Sequence, residues 1–328
     1  MKGDICALRR RGGNAVGVAC VLGLILCVMA ACTPARKEGL TLLFTGDVLL
    51  DRGVRPLAEE HGIPWLFEGV APEFDRADAV VINLECPLAD TLSPIGKQFS
   101  FRADVRWADG LREGGVTHAC MANNHTNDQS RRGLRSTDRA LRDAGIVPLG
   151  YGVTAAERVQ PAVISKGAVT AAVFNTVAFT LENWVPASDQ PDVCQLAPEA
   201  LAAIVRDYKY AHPEHFVIAV LHWGNEFHEV PSMRQRLAAT ILVSAGCDAV
   251  IGHHPHVIQP VEFLRSATDG ADVPVFYSLG NFVFDQSAPA ARRAIMAELV
   301  LTPEGLTARS INVSIRRCRP YAVRAHRH

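Results

Sequence analysis

One unit recurs along this chain from residue 40 onward: a run of apolar, often β-branched residues, a compact polar cluster, then a segment with helical spacing. The runs fall at 40–45, 79–82, 116–121, 171–177, 216–221, 249–251 and 273–277 and read as buried strands. Two intervening segments predict helices. Residues 131–144 put Leu134, Leu141 and Ala144 on one face and stop at Gly145. Residues 231–245 open on Pro231, carry Leu237, Ile241 and Leu242 inward and stop at Gly246. Strands alternating with helices predict an α/β fold with its ligand crevice at the carboxyl ends of the strands. The stretch 295–315, with Pro303-Glu304-Gly305 in its middle, predicts a closing hairpin.

The polar clusters sit directly after the runs, where such a fold places its ligands. They are Gly46-Asp47 with Arg52 behind, Asn83-Leu84-Glu85, Asn123-Asn124-His125 with Asp128, His222-Trp223-Gly224 with Glu226 and His228, Gly252-His253-His254-Pro255-His256, and Ser278-Leu279-Gly280-Asn281. Taken singly, Asp47 and Glu85 are compatible with turns or helix caps, and Asn123-Asn124 with amides tied to their own backbone. The spacing His254-x-His256 is more specific, because it aims two imidazoles at one centre across a rigid proline. His222 at another strand end adds a third imidazole. Carboxylate, amide and imidazole ligands without thiolate suit zinc, manganese or iron, as one ion or a pair.

Such a site acidifies water and neutralises charge on a phosphoryl or carbonyl oxygen, the chemistry of a hydrolase. His125, next to an asparagine ligand, is the expected proton donor to a leaving group. Arg52 is a candidate clamp for a phosphate or carboxylate, with a structural role as the alternative. Asp128, Glu226 and His228 are candidates to back the imidazoles, and Trp223 is either pocket wall or core. Ser278 has no G-x-S-x-G context, so its cluster shapes a tight turn, with Asn281 open to a substrate contact.

The 328 residues, 48% hydrophobic, can bury a full core. A formal charge of −1, with acids and bases scattered, gives no nucleic-acid-binding face. Residues 1–31 read as an export segment, basic at Lys2, Arg9, Arg10 and Arg11 and apolar over 16–31. Its end, Val28-Met29-Ala30-Ala31-Cys32, resembles a bacterial lipobox, with residues 32–39 as a tether and 40–323 as the domain. A lipid on Cys32 anchors such a chain to the membrane, outside the cytoplasm; an ordinary signal peptide or an uncleaved signal anchor is the alternative. Cys86, Cys120, Cys194, Cys247 and Cys318 follow no disulfide or zinc-finger spacing and read as small core residues.

The six clusters in this order, with Asn83-Leu84-Glu85-Cys86-Pro87 and Ser278-Leu279-Gly280-Asn281-Phe282 among them, resemble the CapA family of poly-γ-glutamate capsule synthesis proteins over roughly residues 40–320. That family looks like a branch of the calcineurin-like metallophosphoesterases, which implies a four-layer α-β-β-α sandwich. The resemblance further implies that Asp47, Glu85 and His256 serve one metal and Asn124, His222 and His254 another, with Glu85 or Asp47 bridging and His125 as general acid. The chain departs from the pattern at Leu49, where such enzymes carry the histidine of D-x-H, and at Thr126, where an acidic residue usually follows the histidine. Two functions are compatible with it: a hydrolase acting on a phosphoester or on the γ-amide of an anionic polymer, or a non-catalytic accessory subunit working beside capsule-synthesis membrane proteins.

Overall fold

The computed structural model describes residues 39–323. The export segment, Cys32 and all of the tether but Gly39 lie outside the described residues. No described helix is long and apolar enough to cross a membrane.

Two mixed sheets face each other. The first has eight strands, running Arg319–Ala322, Gly305–Arg316, Arg293–Thr302, Leu40–Val48, Ala79–Leu84, His118–Cys120 and Val147–Leu149, with the short Asn281–Val283 paired parallel to the end of Leu40–Val48. The second runs Val261–Arg265, Asp272–Phe276, Ala249–His253, Phe216–His222, Val169–Val177 and Ala162–Lys166. All seven expected strand runs lie in these sheets. The closing hairpin forms as expected, Thr302 opposite Gly305 across a two-residue turn.

The runs are apolar on successive residues because both faces of each central strand are covered. Leu42 and Phe44 point into the layer between the sheets, against Val81, Val173, Ile218, Val220 and Ile251. Leu43, Val80 and Ile82 point the other way, toward Leu134, Leu141 and Leu111 of the helices Ser130–Asp143 and Trp107–Glu113. Beyond the second sheet, Val217, Ala219 and Leu221 pack on Leu201 and Val205 of Pro198–Ala211 and on Ala239 and Leu242 of Met233–Ser244. The order is therefore helix, sheet, sheet, helix.

One helix differs from its expected phase. Pro231 lies before the helix Met233–Ser244, whose first turn is set by a capping box between Ser232 and Gln235. Gln235, Ala238, Ala239 and Leu242 then form the inward stripe, and Leu237 is turned out to solvent at 57% exposure. Small alanines let the helix sit close on the sheet, which a leucine-centred face would not. Cys86, Cys120, Cys194 and Cys247 are buried and Cys318 is partly exposed, all as free thiols.

Candidate metal centre

Parallel pairing sets the polar clusters side by side. Asp47 is in register with Asn83 and Asn281, and His253 with His222. Two glycines allow the strand ends to approach this closely. A Cβ on Gly46 would lie 2.0 Å from the Gly280 carbonyl oxygen, and one on Gly252 would lie 2.1 Å from that of Tyr277.

Asp47 is fully buried, its Oδ1 accepting from Asn83 Nδ2 at 2.8 Å and its Oδ2 lying 3.2 Å from His256 Nδ1. Asn83 Nδ2 also lies 3.4 Å from His222 Nδ1, and His222 Nε2 lies 2.8 Å from Asn124 Oδ1. Glu85, also fully buried, holds Oε1 3.6 Å from His256 Nε2 and 3.9 Å from His222 Nε2. His256 Nδ1 donates to Asn281 Oδ1 at 2.9 Å, which fixes the tautomer and leaves the Nε2 lone pair facing the carboxylate. Ligand atoms of Glu85, His254 and His256 all lie within 4.8 Å of one another. His254 and His256 flank Pro255 with φ of 99° and 59°, backbone that non-glycine residues rarely adopt and that costs about 1–3 kcal/mol per residue.

The structure thus brings Asp47, Glu85, Asn124, His222, His254 and His256 around one space. The donor set fits a divalent cation on a specific ground. Asp47 Oδ2, Glu85 Oε1 and His254 Nδ1 are buried side-chain atoms without a hydrogen-bond partner, and all three belong to this cluster. A buried carboxylate oxygen or imidazole nitrogen left unpaired is destabilising unless a cation or proton meets it. Electrostatics agree: burial, then the Asp47 carboxylate and Glu226, push Glu85 well above the ordinary carboxylate range. Burial also raises Asp47, but His256, His253 and Asn83 outweigh it and hold that carboxyl low. Burial followed by the neighbouring His256 lowers His254 to about 3, so it is neutral and ligand-competent at pH 7.

His125 stands beside this cluster. Its Nδ1 donates to Asp128 Oδ2 at 2.9 Å and its ring packs on Phe101 at 4.2 Å, which leaves Nε2 for the adjoining cavity. That cavity, of about 210 Å³, is lined among others by Lys97, His125, Phe179, Glu182 and Glu226. The carboxylate absent at Thr126 is supplied two residues later, by Asp128. Lys97 in turn pairs with Asp128 at 2.5 Å, and also donates to Asn127 and to the Asn124 carbonyl.

Other expected residues lie elsewhere or act differently. The Arg52 fork is engaged on Asp285, at 2.7 and 3.1 Å, and stands near the Phe101 and Phe284 rings that back His125 and His256. His253 donates to the Thr45 carbonyl at 2.8 Å and ties the two sheets together. Trp223 is core, its indole donating to the Tyr277 carbonyl, and Ser278 Oγ closes a turn on Val257. Asn281 orients His256, as its Nδ2 is taken up by Gln286 and the Ala291 carbonyl. His228 is exposed and bonded to the Glu226 carbonyl. Lys97 was not legible beforehand, because it sits in an irregular stretch with neither an apolar run nor a motif around it; Asn83 carried the signal of its strand-end position.

The family of bacterial capsule synthesis proteins designated PGA_cap matches residues 41–286, well over half the chain. The chain belongs to this family. It is similar to the capsule biosynthesis protein CapA of Bacillus anthracis, 27% identical over 307 residues, covering 88% of this chain and 73% of that one. It is likewise similar to the PGA biosynthesis protein CapA of Bacillus subtilis, 29% identical over 273 residues and covering 81% and 69%. A probable polyglutamine synthesis accessory protein of Mycobacterium tuberculosis is 26% identical over 316 residues, covering 81% and 80%. Among solved structures, the NAD nucleotidase of Haemophilus influenzae superposes with a TM-score of 0.52 at 13% identity, over 84% of this chain and 56% of that one. A putative 5′-nucleotidase of Staphylococcus aureus gives 0.50 at 12%, over 87% and 54%. The chain spans little more than half of either nucleotidase. What they share with it is the fold, a metallophosphatase-like four-layer sandwich.

Proposed function

We propose that this family member serves the assembly of an anionic capsule polymer outside the cytoplasm, and that its strand-end cluster is a divalent-metal hydrolase site acting on a phosphoester or a γ-linked amide. The observation that carries the reading is the convergence of three unpartnered buried atoms, Asp47 Oδ2, Glu85 Oε1 and His254 Nδ1, on one space. Asp47, Glu85, His254 and His256 hold the cation, with Asn124 and His222 completing or sharing the set; zinc, manganese and iron all suit these donors. Held by these residues, a divalent cation would supply Lewis acidity toward water and toward the substrate oxygen. Asn281 and Asn83 fix the imidazole and carboxylate orientations from behind. Asp128, itself held by Lys97, orients His125 so that Nε2 delivers a proton to a leaving group in the cavity. A lipid on Cys32 would keep the site at the membrane surface.

A second reading has its own support. The Mycobacterium tuberculosis relative is named an accessory protein, and Leu49, fully buried here, stands where metallophosphoesterases place another ligand histidine. A non-catalytic binding subunit fits both facts. The two readings separate in one experiment on purified metal-loaded protein assayed against phosphoesters and γ-glutamyl amides. In a hydrolase, His125→Ala keeps its metal and loses about 100-fold or more in turnover. Wild-type protein that is loaded with metal and turns over none of these substrates leaves the accessory reading.

A further inference from the structure

Away from the strand ends, the outer face of the helix Ser130–Asp143 borders a cavity of about 350 Å³, lined among others by Asp90, Arg132, Arg135, Ser136, Arg139 and Asp143. The helical residues recur at three- and four-residue spacing, so they share one face, opposite the buried Leu134 and Leu141. Three guanidinium groups therefore project to the same side. Arg139 is paired with Asp143 at 3.5 Å, whereas the side chains of Arg132 and Arg135 have no ion pair or hydrogen bond among the described residues. Like charges three residues apart on a helix repel each other, and both of these arginines are exposed. An anion between them relieves that repulsion, and guanidinium forks match carboxylate oxygens two at a time. Ser136, one residue beyond Arg135, adds a hydroxyl donor at the same wall. Asp90 and Asp143 at the flanks accept N–H groups, so the cavity offers partners both to acidic groups and to amides.

We propose that this cavity binds a linear carboxylate-bearing polyamide, with Arg132 and Arg135 gripping its carboxylates at a place separate from the metal centre. The inference rests on the polymer part of the function proposed above and is independent of its catalytic part. The test measures binding of fluorescently labelled poly-γ-glutamate to the full chain, with polyphosphate as the comparison anion. Wild-type affinity falls as salt rises. Arg132→Glu/Arg135→Glu weakens binding by about tenfold or more while metal content and melting temperature stay unchanged; Arg132→Gln/Arg135→Gln weakens it less. The loss caused by Arg132→Glu/Arg135→Glu is the same in metal-loaded and in chelator-treated protein, so failure of the metal reading does not mimic failure of this one. Equal affinity in the wild type and the double glutamate variant overturns the proposal, as does polyphosphate binding without poly-γ-glutamate binding.

Discussion

Among the described residues, two groups of side chains have metal-ligand spacing, and they differ in everything except distance. Glu85, His254 and His256 are buried where the strands of both sheets end. His212, Glu214 and His215 lie in the turn after the helix Pro198–Ala211, equally close to one another, but partly or fully exposed. In the surface group His215 Nδ1 meets the Tyr208 hydroxyl at 2.9 Å, its Nε2 meets Glu214 at 3.2 Å, and its ring stacks on His212. None of that group's polar side-chain atoms is shut away from solvent without a hydrogen-bond partner. In the buried group Glu85 Oε1 and His254 Nδ1 are. Spacing alone therefore does not make a site; what marks a candidate is desolvation that leaves charge and lone pairs for a cation or a proton to meet.

The contrast can be broken most directly by metal content. His254→Ala should reduce bound metal to background, while His212→Ala keeps it at the wild-type level by elemental analysis; the reverse pattern would place the ion on the surface. A smaller effect is expected behind the ligand shell, where Asn281→Ala frees the His256 ring and should weaken metal affinity about 10- to 100-fold in a chelator titration. The same contrast reaches stability. Glu85 has a folded-state pKa raised above its ordinary value, first by burial and then by Asp47, so its contribution is favourable at acid pH and is lost as pH rises through the folded pKa. Chelated protein should accordingly melt lower at pH 8 than a Glu85→Gln variant, which carries no charge to bury, although that variant holds metal poorly. Glu214→Gln, at an exposed acid, should shift neither melting nor metal. The smallest change is expected from His215→Ala, worth about 1 kcal/mol or less through the lost Tyr208 contact in chemical unfolding.

Much of this was legible because burial on both faces writes a strand as an unbroken apolar run, and a parallel α/β arrangement collects whatever polar residues follow those runs. The polar clusters that contain Asp47, Glu85, Asn124, His222, His254 and His256 were legible that way, without knowledge of which strand neighbours which, whereas their grouping into one ligand set came from the resemblance to the family. Helix phase was less legible: Leu237 competes with Ala238 and Ala239 for the inward face, and a local cap at Ser232 decided it. Arg52 illustrates a different limit. A guanidinium after a strand end reads as an anion clamp until Asp285, more than two hundred residues away, is seen to occupy its fork.

The sequence by itself determined the alternation of buried runs and polar clusters, and with it the fold class and the kinds of atom gathered at the strand ends, because hydrophobic periodicity and side-chain chemistry are local properties. Tertiary structure decided what no local pattern encodes: that Asp128 and the distant Lys97 support His125, that Asn281 fixes the His256 tautomer, that His253 spans the sheets instead of joining the cluster, and that Arg132 and Arg135 face a cavity unpaired. Those are contacts between segments far apart in the chain. Their energies depend on which donors and acceptors are shut away from water together, and only the folded arrangement specifies that.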